Sequence, residues 1–436
     1  MDNSPLFPRK ITRHLTFPLL AVTLLSSFGS SMLYGFNLAV VNSPAVHIKA
    51  FYNATWYQRY GHGLPQGPLT LMYSLTVSIF ALGGFVGTFP VGILVTQYGR
   101  TTHKKITRDA YWPLFLSVVV VPAFLQLLLL NWFPESPRYL LIEKNNVHGA
   151  AEALSLFLGQ HNVQDTIAEI EEEKRSLASV KAVSVWQLLS DHSVRLQVLS
   201  VVVINMGMQL SGIDAIWFYT NAIFENAGIP DPDIPYTTVG TGAIEVVAGL
   251  IGCFTIEKVG RRSLLIVGFC FMGICCAGIT LSLVLQSSVS WMRYISVAFV
   301  IGIIAGFCMG PAGVPFLMTA ELFKQSHRPS AYIVGGSLNW LSNFTVGFVF
   351  PFLQMSAGAF SYLVFCGICF LVALYVYFMI PETKNKTFME ISHLFTSSRA
   401  TFFSNLPDSF KMTKLNGYGA LENNSLEFSG SGSNLP

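Results

Sequence analysis

Long apolar runs recur along this chain and restrict it to one class of fold. Each run extends over about 20 residues, the length that an α-helix needs to cross the hydrocarbon core of a bilayer. Transmembrane β-strands are excluded because they are about half as long, and an open sheet would leave backbone groups unsatisfied in lipid. The predicted spans are residues 17–41, 71–95, 112–133, 196–222, 236–256, 263–286, 293–320, 330–354 and 360–380. We therefore expect an all-α integral membrane protein.

Composition excludes most other classes of protein. Hydrophobic residues make up 52% of the chain and charged residues 11%, whereas a soluble domain carries about a quarter charged residues. The seven cysteines have none of the spacings of a zinc site or a disulfide framework. No nucleophile–base pair or phosphate-binding loop stands out either. We expect no catalysis, no metal, no cofactor and no nucleic-acid partner, and the lipid bilayer as the surroundings.

Two short motifs occur twice and divide the chain into unequal halves. Gly99-Arg100 matches Gly260-Arg261-Arg262, and Pro134-Glu135-Ser136 matches Pro381-Glu382-Thr383. The motifs lie 35 residues apart in the first half and 121 in the second. The difference corresponds to about three spans with their loops. The second half is therefore predicted to be a complete six-helix unit, and the first half to lack about three helices.

Charge and composition predict four regions. They are a shortened first half (1–133), a linker of short amphipathic helices (134–195), the six-helix second half (196–395) and a disordered tail rich in Ser, Asn and Gly (396–436). Basic residues place the N-terminus and both ends of the second half in the cytoplasm. Both flanks of span 112–133 are basic, which a single crossing cannot satisfy. That segment re-enters, lies in the interface or crosses against its charge preference.

Several motifs, taken together, are specific to one family. They are Tyr34-Gly35-Phe36-Asn37, the two Gly-Arg loops, Pro134–Arg138, Gln209–Gly212, Gly310-Pro311, Asn339-Trp340 and Pro381–Lys384. They resemble the facilitative sugar transporters of the major facilitator superfamily, over about residues 15 to 395. Within that family the chain is most similar to the class II branch, which holds fructose and urate carriers. The run Ala215–Asn221, and Phe316 in place of a sugar-site tryptophan, are most like its urate- and hexose-carrying member.

The resemblance implies a fold of twelve spans in two six-helix halves, from which the third, fourth and fifth helices and the start of the sixth are missing here. An internal exon loss or a gene-model error would produce such a chain. It also implies facilitated transport of hexose (glucose or fructose), urate or both at the plasma membrane, by alternating access. The alternative is a non-transporting truncated form, which is degraded or associates with full-length carriers.

Polar residues within the spans are the candidates for substrate binding. A sugar or a purine needs neutral donors and acceptors among aromatic walls, and Gln209 precedes a Ser-Gly break. Acids inside a span are costly and mark functional candidates. The predicted substrate-binding residues are Gln209, Asp214, Trp217, Tyr219, Glu245, Phe316, Asn339 and Asn343. The alternatives are interhelical hydrogen bonds for the amides, hydration of Asp214, pairing of Glu245 and core packing for the aromatic residues.

Charged residues at the predicted cytoplasmic helix ends are candidates for a gate. Salt bridges there could hold an outward-facing state, or the charges could only anchor the topology. The predicted gating residues are Glu257, Arg261, Arg262, Glu321 and Arg328, with Trp340 as a gate or packing residue. Asn53-Ala54-Thr55 is a glycosylation sequon in the first outer loop.

Overall fold

The computed structural model describes two long stretches of the chain. These are residues 16–98, apart from 28–31 and 43, and residues 132–391, apart from 143, 160–162, 179–182, 287, 290, 325, 385 and 387–389, together with residues 126, 128, 129 and 394. Within them every regular element is a helix. The Gly99-Arg100 loop, most of the predicted span 112–133 and the tail 396–436 lie outside the described residues.

The first half contributes one long helix and three shorter ones. They are α1 (Phe17–Ser26), α2 (Met32–Ala39), α3 (Ala45–Tyr60) and α4 (Gln66–Tyr98). The predicted first span, 17–41, thus contains two described helices. α4 has 33 residues, about 50 Å at 1.5 Å per residue, so it is longer than the bilayer core. It packs chiefly along the helix Arg328–Ala357 of the second half.

Four short helices lie in the linker between the halves: α5 (Pro137–Ile142), α6 (Val147–Leu158), α7 (Gln164–Ala178) and α8 (Val185–Ser190). α5, α6 and α7 bury a small apolar core of their own around Leu141, Leu154 and Ile167. The side chain of Asn146 caps α6 by accepting from the N–H of Gly149. α8 begins with a capping box of Ser184 and Gln187. These caps satisfy backbone donors at the helix starts and separate the linker helices from one another.

The second half forms the larger bundle. Its helices are α9 (Arg195–Leu210), α10 (Ile213–Asn226), α11 (Ile234–Val259), α12 (Arg261–Leu285), α13 (Met292–Met309), α14 (Val314–Leu322), α15 (Arg328–Ala357) and α16 (Ser361–Met379), with 3-10 turns at Asp231–Asp233 and Gly358–Phe360. α12 packs against both α13 and α16, and α15 packs against α9.

Two of the predicted spans are interrupted. Span 196–222 breaks between α9 and α10, where Gly212 adopts φ +95° and a Cβ would lie 2.7 Å from the ring of Phe365. Only glycine tolerates both the positive φ and the close approach. Span 293–320 breaks between α13 and α14 at Gly310-Pro311, because proline cannot donate the next helical hydrogen bond.

Six helical stretches of the described residues are long and apolar enough to cross a membrane. They are Gln66–Val86, Arg195–Asn226, Asp231–Val259, Arg261–Leu285, Met292–Leu322 and Arg328–Met379, and the last contains both α15 and α16. The all-α prediction is therefore confirmed for this part of the chain. The count of about nine spans stays a prediction, since it also needs the undescribed residues around 28–31 and 112–131.

Candidate functional site

The break between α9 and α10 places two polar side chains in the interior of the bundle. Gln209 lies at the end of α9, and Asp214 lies in the first turn of α10. Both side chains are completely buried. The first N–H groups of a helix have no partner within the helix and carry its positive dipole end. The start of α10 is thus a favourable place for the carboxyl group of Asp214.

α15 contributes two asparagines to the same place. Asn339 and Asn343 lie one turn apart and are both buried. Asn343 Nδ2 donates to Asp214 Oδ1 at 2.7 Å. We call Gln209, Asp214, Asn339 and Asn343 the central polar cluster. The burial of Asp214 and its bond to Asn343 are at odds with the alternative in which this acid is simply hydrated.

Gln209 bridges the cluster, and the direction of its amide depends on the proton of Asp214. With Nε2 towards the carboxyl group, it donates to Oδ2 at 2.7 Å and Oδ1 at 3.1 Å, and Oε1 accepts from Asn339 Nδ2 at 3.2 Å. That arrangement fits an ionised Asp214. In the reverse orientation Nε2 donates to Asn339 Oδ1 at 2.9 Å, and Oε1 faces a carboxyl group that must then be protonated. The network fits both charge states of the acid because an amide is both donor and acceptor.

Two buried polar atoms next to the cluster have no hydrogen-bond partner among the described residues. They are the acceptor Asn343 Oδ1 and the donor Nε1 of Trp217. An unsatisfied buried group costs about 1–3 kcal/mol. One acceptor and one donor are therefore left for a polar molecule that enters this region.

Glu245 and Tyr34 extend the site. The half-buried carboxyl group of Glu245, on α11, approaches Trp217 Nε1 without meeting the geometry of a hydrogen bond. Tyr34, on α2 of the first half, lies within electrostatic range of both Glu245 and Asp214. The indole of Trp217 packs edge-on against Phe307 at 5.3 Å between ring centroids. Tyr34 of the first half thus lies near both intramembrane acids.

Three aromatic rings join the two halves beside the polar groups. The ring of Trp340 lies 5.7 Å from that of Tyr34 and 5.6 Å from that of Phe80, and Tyr34 and Phe80 lie 6.1 Å apart. Gly84 on α4 makes room for this contact, because a Cβ there would overlap the Trp340 ring. Trp340 therefore packs where the first half meets the second. This position is compatible with both predicted roles, as a gate and as a packing residue.

Two of the predicted residues, Tyr219 and Phe316, belong neither to the central polar cluster nor to the neighbouring group of Glu245, Trp217 and Tyr34. Tyr219 donates its hydroxyl to the carbonyl of Gly347 at 2.6 Å, and its ring packs near Tyr73 and Phe350. Phe316 lies on α14, 41% exposed. Their role in substrate binding stays a prediction.

Three of the predicted gating residues, Glu257, Arg261 and Glu321, form a second polar group where α11 and α14 end and α12 begins. Arg261 Nε contacts Glu321 Oε1 at 3.1 Å, and its Nη2 contacts Glu257 Oε1 at 3.2 Å. Glu382 accepts from the backbone N–H groups of Arg261 and Arg262 at 2.9 and 3.1 Å. We call Glu257, Arg261, Glu321 and Glu382 the charged cluster. Arg262 Nη2 donates to the backbone carbonyl of Tyr377 at 2.6 Å, and Arg328 Nε donates to that of Phe323 at 3.0 Å.

The repeated Gly-Arg and Pro-Glu motifs meet in this cluster. Gly260 adopts φ +102°, and a Cβ there would lie 2.6 Å from Glu382 Oε2. Thr383 Oγ1 donates to Glu321 Oε2 at 2.5 Å, which closes the network. The role of Glu382 was not among our predictions, although it stands in the Pro381–Lys384 motif. Tyr34 was likewise in a quoted motif, whereas Phe80 carried no signal.

The linker is attached beside α15. Ser330 Oγ donates to the carbonyl of Val183 at 2.5 Å, and His327 Nε2 lies 3.8 Å from Asp191 Oδ2. Hydrogen bonds from Ser193, and then the nearby His327 and His192, hold the pKa of Asp191 below its usual range. The carboxylate is therefore ionised at neutral pH and available to His327.

The sequon asparagine lies on α3. Asn53 is exposed, and its Oδ1 accepts from the N–H of Leu64 at 2.8 Å. A glycan would be attached through Nδ2, so this hydrogen bond is compatible with the modification. Whether Asn53 is glycosylated stays a prediction.

Comparison with known protein families identifies one family model. The model described as "Sugar (and other) transporter" matches residues 22–107 and 91–395. Mouse and human solute carrier family 2, facilitated glucose transporter member 9, are each 39% identical over 466 aligned positions, covering 88% of this chain and 87% and 86% of the relative. Human solute carrier family 2, facilitated glucose transporter member 5, is 39% identical over 464 aligned positions, which cover 88% of this chain and 93% of that relative. These alignments exceed the 436 residues of the chain, so parts of the relatives have no counterpart here.

Solved structures of one transporter share the fold. The proton:xylose symporter XylE bound to 6-bromo-6-deoxy-D-glucose aligns with a TM-score of 0.68 at 18% identity, covering 88% of this chain and 100% of that one. A partially occluded inward-open form of XylE from E. coli aligns with a TM-score of 0.65 at 17% identity, covering 85% of this chain and 100% of that one. At this identity the likeness concerns the fold alone, which is that of the major facilitator superfamily.

Proposed function

The chain belongs to the facilitative sugar transporter family of the major facilitator superfamily, and from this premise we propose that it is a hexose carrier of the plasma membrane. The observation that carries the proposal is the central polar cluster. It lies at a broken helix, Asn339 is followed by Trp340, whose ring packs against Tyr34 and Phe80 of the first half, and the cluster has hydrogen-bonding capacity left over. Broken helices at the interface of two halves are where carriers of this architecture bind substrate.

The chemistry of the site fits a polyhydroxylated ring. Each sugar hydroxyl both donates and accepts, so it can donate to Asn343 Oδ1 or Glu245 and accept from Trp217 Nε1. The rings of Tyr34 and Trp340 offer apolar faces to the C–H side of a sugar. Gln209 can reverse its amide to match the orientation of a bound hydroxyl.

Hexose fits this site better than urate. Asp214 and Glu245 face the same region, and no salt bridge joins Glu245 to a cation among the described residues. An ionised carboxyl group repels an anion at close range in a low-dielectric interior. We propose glucose or fructose as the substrate, and urate only for a state in which Glu245 is protonated.

A non-transporting form is the second candidate. The alignments are longer than the chain, which supports the proposed loss of about three spans between Arg100 and Trp112. Alternating access needs two bundles that close on each other. A shortened first half would leave α4 and α15 without some of their partners. The site would then be present while net flux is small or absent.

Uptake measurements separate these candidates. Labelled glucose, fructose and urate would be supplied to oocytes that express the chain, or the chain with a three-span insert of about 86 residues from a close relative. Uptake is normalised to surface protein. Hexose uptake by both forms at similar rates supports a functional carrier of this length. Uptake by the restored form alone supports the hexose site and assigns the chain itself to the non-transporting form. No hexose uptake by either would refute the proposal.

A further inference from the structure

An apolar groove runs along the outside of the second half between α12 and α16. It has a volume of about 600 Å³ and is lined by Ile266 and Cys270 of α12 and by Gly367, Leu371, Leu374 and Tyr377 of α16, among others. Leu371, Leu374 and Tyr377 are 68%, 54% and 55% exposed. In a membrane this surface meets lipid, because α12 and α16 are both long, apolar helices.

The floor of the groove is open because Gly367 has no side chain. A Cβ at this position would meet no atom within 4 Å. From Gly367 to Tyr377 the groove follows ten residues of α16, about 15 Å along a helix axis. That is half of the roughly 30 Å hydrocarbon core, so the groove matches an acyl chain of one leaflet.

One end of the groove is basic. The guanidinium group of Arg262 lies 5.5 Å from the ring centroid of Tyr377, and its Nη2 donates to the Tyr377 carbonyl at 2.6 Å. Its Nε is buried and has no acceptor among the described residues. Lys384 lies close by, with Nζ donating to the carbonyl of Lys258 at 2.8 Å. Arg262 and Lys384 thus supply two cations at this end of the groove, where a lipid headgroup would lie.

Among the described residues, no salt bridge pairs a neighbouring carboxylate with the side chain of Arg262. Glu382 accepts from the backbone N–H groups of Arg261, Arg262, Thr383 and Lys384. Glu257 and Glu321 pair with Arg261. The side-chain charge of Arg262 therefore remains available to an anion, and the positive-inside rule assigns this end to the cytoplasmic leaflet, where anionic lipids are concentrated.

We propose that the groove binds an anionic phospholipid, with one acyl chain along α16 and its phosphate at Arg262. This site is separate from the central polar cluster and does not depend on the substrate. Binding ties α12 to α16 at the end that also carries the charged cluster. A neutral phospholipid has the same chains but lacks the net charge, so headgroup charge distinguishes specific binding from general contact with lipid.

Photo-crosslinking of the full chain in proteoliposomes tests the proposal. Phosphatidylserine and phosphatidylcholine probes, each with a diazirine in the acyl chain, are compared by mapping crosslinks to the α16 peptide. We expect the phosphatidylserine probe to label it about fivefold more, the effect of about 1 kcal/mol for one basic residue near the membrane surface. Equal labelling by the two probes would refute a site for anionic lipid.

Two variants and a control locate the site. Gly367→Phe extends a ring into the groove from a position where a Cβ meets open space, and it is expected to remove the preferential labelling. Val239→Phe adds the same ring on α11, at a lipid-exposed position that is 73% exposed and outside the groove, and should keep it. Arg262→Gln should make the labelling of α16 by the two probes equal. The ratio of the two labelling signals is measured within one preparation, so it does not depend on protein yield. If the phosphatidylserine probe still labels α16 more strongly than the phosphatidylcholine probe in both Gly367→Phe and Arg262→Gln, the proposal is overturned.

Discussion

The central polar cluster and the charged cluster each contain four polar residues, but they differ in residue type and in how completely their groups are paired. In the charged cluster, Arg261 bonds to Glu321, Glu257 and the carbonyl of Ile256, and Glu382 accepts from backbone N–H groups. In the central cluster, the amides bond to one another and to a single acid, and Asn343 Oδ1 remains without a partner.

This difference indicates that one cluster has a structural role and the other can bind a ligand. Ionised groups that are withdrawn from water are stable only when they are paired with opposite charges and hydrogen-bonded. The charged cluster therefore has little hydrogen-bonding capacity left for a ligand. Neutral amides cost less to bury and can exchange partners. We therefore expect the charged cluster to control stability and the state of the gate, and the central cluster to control substrate affinity.

The largest effect is expected from Arg261→Ala. Removal of the arginine leaves Glu321 and Glu257 without their shared cation, so the free energy of unfolding should fall by about 3 kcal/mol, the lower end for a broken buried ion pair. Unfolding in mixed micelles measures it. The matched control is Glu257→Gln, at a side chain 68% exposed, which should cost less than about 1 kcal/mol. Equal losses for both variants would mean that burial does not determine the strength of this cluster.

Asn343→Ala should have the next largest effect, on binding rather than on gating. The variant loses the unpaired acceptor and also the donor that holds Asp214 in place, so hexose affinity should fall by about 1–3 kcal/mol, twice the range for one neutral hydrogen bond. Ligand-induced thermal shifts report the affinity. Thr345→Ala is the control, because that exposed hydroxyl bonds only within α15, to the carbonyl of Leu341. Similar losses for both variants would remove Asn343 from the site.

Two adjacent glycines test how the central cluster depends on the first half. Gly84→Ala places a methyl group against the Trp340 ring, and overpacking of this kind costs about 1–3 kcal/mol. Gly83→Ala meets open space and should stabilise the helix by up to about 1 kcal/mol. Thermal unfolding compares the pair. If the two variants unfold alike, the contact between α4 and α15 is too loose to position Trp340.

Gln209→Ala should have a smaller effect on affinity than Asn343→Ala. A bound hydroxyl would lose one neutral hydrogen bond, worth about 0.5–1.5 kcal/mol. Hexose binding at matched protein amounts measures the change. Unchanged affinity would mean that Gln209 only connects Asp214 to Asn339.

Asn53→Gln should remove a glycan and leave hexose affinity unchanged, and loss of the bond to the Leu64 N–H should cost about 0.5–1.5 kcal/mol of stability. The test reports how the chain is oriented in the membrane, since Asn53 and the charged cluster are predicted to lie on opposite sides of the bilayer. Glycosidase treatment followed by gel mobility is the measurement. Identical mobility of the wild type and the variant would contradict the proposed topology.

Helix positions in the second half could be predicted closely from sequence. Span 236–256 became α11 (Ile234–Val259), and span 263–286 became α12 (Arg261–Leu285). An apolar run of this length has no alternative in lipid that satisfies its backbone. The interruptions at Gly212 and Gly310 had visible signals in Ser211-Gly212 and Gly310-Pro311, although both spans were predicted as continuous.

The partners of the candidate residues could be predicted only in part. The charged residues at the helix ends were expected to pair, and Arg261 does so with Glu257 and Glu321. The contribution of Glu382, and the positions of Tyr34 and Phe80 beside Trp340, depend on contacts between distant segments. No local pattern encodes such contacts, since the helices that bring them together are placed by packing.

What this sequence determined by itself is the membrane-spanning helical class, the family and the residue types from which a site can be built. Those properties follow from apolar length and local motifs. The tertiary structure alone decided that Gln209 lies between Asp214 and Asn339, that Asp214 is buried rather than hydrated, and that one acceptor and one donor remain unpaired. Hydrogen bonds across 130 residues of chain exist only once two helices have packed, because each partner is then held within about 3 Å of the other.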